Sequence, residues 1–65
     1  MSTVHVMELV GESERSWESA ATSAVSQAAH RVNNITGVEI LNWTADIRDG
    51  RVVKYKANVK IAYVE

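Results

Sequence analysis

Along residues 3–10 β-branched and apolar side chains predominate, with a single acid at Glu8, and Gly11 follows. That pattern predicts a first strand stopped by a glycine. Ser13 is then the natural N-cap of a helix, with Glu14 and Glu18 in its first turns, where the helix dipole favours negative charge. From there Trp17, Ala20, Ala21, Ala24, Val25, Ala28 and Val32 recur at spacings of three and four, predicting one amphipathic helix over about residues 14–33. Its apolar stripe is mostly alanine, so whatever packs on it comes close to the helix axis. Asn33, Asn34 and Gly37 tolerate left-handed backbone and end the helix.

Two further strands are predicted, over residues 38–47 and 51–64. They are joined at Asp49-Gly50, the dipeptide that a two-residue type I′ turn prefers. Strict alternation away from that turn sets Arg48 against Arg51, Ile47 against Val52, Asp46 against Val53, Thr44 against Tyr55, Trp43 against Lys56, Ile40 against Val59, Glu39 against Lys60 and Val38 against Ile61. One face then carries Val38, Ile40, Asn42, Thr44, Tyr55, Ala57, Val59, Ile61 and Tyr63, the floor for the helix. The other carries Gly37, Glu39, Leu41, Trp43, Ala45, Lys54, Lys56, Asn58, Lys60 and Ala62, a mixture too apolar to be simply solvated.

The element order is β-α-β-β, an α+β domain. A crossover from strand 1 through the helix leaves strands 1 and 2 parallel, so an all-antiparallel sheet needs strand 3 between them, in the order 1-3-2. Fourteen extended residues span roughly 46 Å at about 3.3 Å each, whereas twenty helical residues span about 30 Å. The sheet therefore curls round the helix or overhangs it, and Leu41 and Trp43 on the back face need another chain to cover them.

Chain length adds weight to that expectation. The 65 residues, 46% of them apolar, form one domain over residues 1–65. A domain of this size buries only about 60% of its unfolded surface and ordinarily needs a further stabiliser. Without cysteine, disulfides and thiolate zinc sites are excluded, and His5 and His30 alone make a poor metal site, so oligomerisation is the favoured stabiliser. No apolar run approaches 18 residues and no basic-then-apolar leader opens the chain, which gives the expectation of a cytoplasmic protein without a membrane partner. The net charge of −1 conceals a split of −4 over residues 1–47 and +3 over residues 48–65. Lys54, Lys56, Lys60 and Arg51 around Trp43 resemble a nucleic-acid platform, but near-neutrality and the lack of a second aromatic on that face argue against it. No nucleophile–base pair, paired carboxylates or phosphate-cradling glycine loop supports an enzyme.

Taken in order, Val6-Met7-Glu8-Leu9-Val10-Gly11, Ser13, Ser16-Trp17-Glu18 with the alanines behind it, Asp49-Gly50-Arg51-Val52 and Val59-Lys60-Ile61-Ala62-Tyr63 resemble the dodecins over nearly the whole chain. The resemblance implies a helix partly wrapped by a three-stranded antiparallel sheet and a homododecamer forming a hollow shell. It also implies non-covalent storage of a flavin, riboflavin, FMN or FAD, rather than catalysis. Dodecins that hold flavin stack it on a tryptophan at the start of strand 2 and hydrogen-bond its polar edge with a glutamine in strand 3. Aligned on Asp49-Gly50, these positions carry Gly37 and Lys56. Gly37 has no π-face, and Lys56 donates to a carbonyl or attracts a phosphate but accepts from no ring N–H.

Trp43, read as lying opposite Lys56, offers an aromatic surface beside the former glutamine position. Some 20 Å along the strand from Gly37, it replaces the missing indole only from a symmetry mate. Trp43, Lys56, Lys54 and Gly37 are thus the candidate lining of an intersubunit site for a planar anionic ligand. The competing reading makes Trp43 an interface anchor, together with Leu41, Glu39 and Lys60. On that reading the shell has lost flavin and serves as an assembly or holds another anion or a metal ion. For a metal, only Glu39, Asp46 and Asp49 stand near the hairpin. Trp17 reads as core packing at the head of the helix stripe.

Overall fold

The computed structural model describes residues 3–65. Strand β1 (Val4–Ser13), helix α1 (Trp17–Ala29), strand β2 (Ile35–Arg48) and strand β3 (Arg51–Val64) follow in the predicted order. The sheet is antiparallel throughout, in the order β1-β3-β2. Predicted boundaries move at the end of β1, at both ends of the helix and at the start of β2, which begins at Ile35 and not at residue 38. Strand β1 runs through Gly11 to Ser13, whose Oγ accepts from the Arg15 N–H at 3.0 Å in a local turn. The N-cap is instead Ser16, extended at φ −169° and ψ 163°, with its Oγ accepting from the Ser19 N–H at 3.0 Å. The helix is accordingly 13 residues long and not the twenty read from its apolar spacing: three are lost at the start, where Ser13 is committed to the turn, and four at the end, where the chain tightens onto the Ala28 carbonyl.

At its far end, the N–H groups of Arg31 and Val32 donate back to the Ala28 carbonyl at 2.9 and 3.0 Å. Asn34 then turns the chain at φ 60°, and its carbonyl accepts from Val64 N–H at 3.0 Å, fixing the loop to the end of β3. Gly37, expected to share in that turn, lies instead within β2.

The core is a seam of small residues. Ala20, Ala24 and Ala28 of α1 press on Ala57, Val59 and Ile61 of β3, with Met7, Leu9, Val25, Ile35 and Ile40 around them. Alanine brings the helix close, and Gly11 brings it closer. A Cβ at Gly11 would lie 2.0 Å from the Ala20 carbonyl oxygen and 2.9 Å from Ala24 Cβ. The glycine is required for space and not for an unusual dihedral, since its φ is not positive.

The hairpin carries the main correction. Asp49 (φ 54°) and Gly50 (φ 76°) are both left-handed, as a type I′ turn requires. Arg48 pairs with Arg51 and Ile47 with Val52, as read. A bulge then leaves Val53 without a partner, so that Asp46 faces Lys54, Ala45 faces Tyr55, Thr44 faces Lys56 and Trp43 faces Ala57. A second bulge at Leu41 restores the expected register from Ile40↔Val59 to Val38↔Ile61. Between the two bulges every β2 side chain lies on the face opposite to that predicted. Trp43 stands on the helix face, while Asn42, Thr44 and Asp46 join the back.

The molecule extends 51 × 19 × 13 Å. Thirteen helical residues cover only about 20 Å of that length, so the sheet overhangs the helix. Trp17, at the helix start, lies beside Thr44 and Tyr55, and the hairpin from Asp46 to Val53 projects past it. Ile47 is 62% exposed there, and Val4, Val6 and Val10 are exposed on the back of β1.

Candidate functional site

The back face is built from rows of three, one residue from each strand. Lysines of central β3 alternate with acids of β1 and β2: Glu8, Lys60 and Glu39 form one row, and Glu12, Lys56 and Thr44 another, with Asp46 beside Lys54. Lys56 Nζ lies 3.2 Å from Asp46 Oδ1 and 3.8 Å from Glu12 Oε2, and Lys54 Nζ lies 3.5 Å from Glu12 Oε1. All four side chains are part-exposed, so each pair contributes under about 1 kcal/mol. Their positional effect is larger, since Lys56 is held between two carboxylates. Between the lysine rows, the Asn58 carboxamide donates to that of Asn42. Leu41 and Val10 border a shallow hollow above this pair, with a volume of about 470 Å³.

Gly37 faces Ala62 on the same side, and a Cβ built on it meets nothing within 4 Å. It stands six positions along β3 from the Lys56 row, roughly 20 Å, so Gly37 and Lys56 of one chain do not line one pocket. Of the four predicted ligand residues, Lys54 and Lys56 are neighbours, Gly37 is distant, and Trp43 is on the other side of the sheet. The predicted pairing of Trp43 with Lys56 is therefore replaced by Trp43 with Ala57, because the bulge at Val53 advances β3 by one residue.

The helix face holds a feature that periodicity missed. The Trp17 indole Nε1 donates to the Thr44 carbonyl at 2.7 Å, and its ring meets Tyr55 edge-on, with centroids 4.8 Å apart at 73°. This packing leaves Trp17 40% exposed and Trp43 49% exposed. The two indoles border an almost wholly apolar hollow of about 350 Å³. Trp17 thus closes the end of the core instead of lying inside it. The signal available beforehand was its place at the first helical turn, where one face of a side chain overhangs the helix end.

These arrangements can be compared with what a flavin needs: π-surface for the ring, and an acceptor and donors for its polar edge. The pair at 37 and 56 does not fit, since one has no side chain and the other is an ammonium held by Glu12 and Asp46. Among the described residues, the exposed indoles of Trp17 and Trp43 offer π-surface on the opposite face. Among the described residues no three His, Cys, Asp or Glu side chains converge as a metal site, and no helix is long and apolar enough to cross a membrane.

The sequence model of the Dodecin family matches residues 3–65. No curated protein matches the chain significantly. Among solved structures, a point mutant of the Thermus thermophilus dodecin superposes with a TM-score of 0.95 at 22% identity, covering 100% of this chain and 97% of the other. Dodecin from Streptomyces coelicolor gives 0.94 at 25% identity, covering 98% and 91%, and dodecin from Streptomyces davaonensis gives 0.94 at 19%, covering 98% and 94%.

Proposed function

The chain belongs to the dodecin family, and from that premise we propose that it is a cytoplasmic, self-assembling storage protein that sequesters a small planar ligand, a flavin, between subunits of a homododecamer without transforming it. The family match over nearly the whole chain carries this reading. Its support in the fold is the apolar surface that one chain leaves open, at Val4, Val6, Val10, Leu41, Ile47 and Val52, which association would bury. Leu41, Trp43, Glu39 and Lys60 are the proposed interface residues, and Gly37, Lys54, Lys56 and Trp43 the proposed ligand lining, with Trp43 meeting the lysines only from another copy.

Purified protein titrated into riboflavin and into FMN, followed by flavin fluorescence with the mass measured by light scattering, tests the reading. Saturable quenching at the mass of twelve chains is the expected result. A second reading is favoured by one observation, the capture of Lys56 by Asp46 and Glu12 at 3.2 and 3.8 Å. On it the lysines are structural and the shell holds no flavin. The same mass without quenching selects that reading, and a monomer refutes both.

A further inference from the structure

Trp17 and Trp43 are the chain's two tryptophans, and the fold brings them from the helix start and the middle of β2 to one hollow. Trp17 is fixed before anything binds. Its indole N–H is committed to the Thr44 carbonyl, its ring edge rests on Tyr55, and its backbone opens the helix. A ring stacking on it orders little that is not already ordered. Trp43 is placed by the backbone next to that same Thr44, and the Val53 bulge turns it to this face. The hollow's 350 Å³ lies within the few hundred Å³ typical of small-molecule sites, and its lining is the two indoles, with no charged side chain.

We propose that Trp17 and Trp43 form a stacking cleft for the ring of a planar, uncharged aromatic heterocycle, on the opposite side of the sheet from Gly37 and Lys56. Recognition is by π-surface, because the one polar atom of Trp17 is already bonded within the chain. The proposal rests on the flavin reading above for its choice of probe, riboflavin, but it puts Trp43 with Trp17 in place of the lysine-lined site, and the two differ in a measurable way. Lys54 and Lys56 would favour FMN over riboflavin, and that preference would fall as salt screens it. The cleft holds the ring and ignores the phosphate. Riboflavin and FMN are expected to bind within about threefold of each other, with no change between roughly 50 and 500 mM salt.

The decisive experiment is riboflavin titration of the assembled protein and of Trp43→Ala, Trp43→Phe and Trp43→Leu, reading flavin and tryptophan fluorescence together, with each variant's mass checked. Stacking on one aromatic contributes enough that Trp43→Ala is expected to weaken riboflavin about tenfold or more, while Trp43→Phe stays within about threefold. Trp43→Leu keeps an apolar side chain for any subunit contact but removes the π-face. At wild-type mass it should lose as much as alanine. Wild-type affinity in Trp43→Leu overturns the cleft and leaves standing only flavin storage at a site without Trp43. A loss of mass in Trp43→Ala, with mass and affinity both restored by leucine, also overturns it, since Trp43 is then an apolar anchor between copies. No quenching of riboflavin by the wild type overturns the cleft and the flavin reading together.

Discussion

Gly11→Ala adds one methyl group to the tightest point of the molecule. The new Cβ would stand 2.0 Å from the Ala20 carbonyl oxygen, whereas ordinary contact begins near 3.4 Å. The obstacle is backbone, so no rotamer relieves it, and the helix must move off β1 by about an ångström or more. A radial gap of 0.5–1 Å already forfeits about a quarter to a half of the dispersion attraction between facing atoms. Here the gap would open along the whole seam of Ala20, Ala24 and Ala28 against Ala57, Val59 and Ile61. One term opposes this. Gly11 has no positive φ, so alanine is allowed there and gains about 0.4–1 kcal/mol by restricting the unfolded chain. Overpacking costs about 1–3 kcal/mol where side chains give way, and occasionally more; with backbone as the obstacle we expect a net loss of about 3 kcal/mol, or about 150-fold in the folding equilibrium.

Urea unfolding followed by far-ultraviolet circular dichroism measures this, at one protomer concentration for both proteins because assembly makes apparent stability concentration-dependent. Gly37→Ala is the matched control. The same chemical change meets open space within a strand and should be neutral or stabilising by up to about 1 kcal/mol. If Gly11→Ala unfolds within about 1 kcal/mol of the wild type, the close approach of α1 to β1 is not what holds the seam together.

Three further changes test other parts of the fold. Ser16→Ala removes the side-chain acceptor for the Ser19 N–H and should lower stability by about 1 kcal/mol, with a smaller effect from Ser13→Ala, whose bond lies in an exposed turn; thermal melts of the pair read the difference. Gly50→Ala places a Cβ at φ 76°, a strained position whose cost of about 1–2 kcal/mol should appear as a lower midpoint in urea. Combining Gly37→Trp with Lys56→Gln rebuilds the usual flavin-holding pair in a position with room for a side chain. Saturable riboflavin quenching should then strengthen by tenfold or more, and unchanged binding would mean that Gly37 is not placed where a second copy completes a site.

The ends of the hairpin were legible in the sequence and its middle was not, for a physical reason. The extra residue in β3, Val53, is offset by an extra residue in β2, Leu41, so alternation counted from the turn is right beside the turn and again from Ile40 to Gly37, beyond which a third irregularity sets Ile35 against Tyr63. Between the turn and Gly37, only the segment between the two bulges is displaced. That segment contains Trp43, so an error of one residue moved the most informative side chain across the sheet. The sequence did contain a warning. Strict alternation gives a face mixing Leu41, Trp43 and Ala45 with three lysines, and sets Thr44 against Tyr55. With the bulges, Trp43 and Ala45 join Tyr55 and Ala57, while Thr44 and Asp46 join Lys56 and Lys54. A face that stays mixed under every strict register therefore marks a slip in pairing before it marks a buried interface.

The helix start shows the same limit on a smaller scale. The cap read from the sequence, Ser13, is already used by the turn that ends β1, and Ser16, three residues on, takes its place. Strand β1 ends in Ser13, and the helix begins only after Ser16 has been reached. That three-residue shift puts Trp17 at the first helical position, beside Thr44 and Tyr55. The two indoles thus meet because of a cap and a bulge, neither of which lies at Gly37. Trp17 and Trp43 are brought together by local capping and strand pairing, on the side of the sheet away from Gly37 and Lys56.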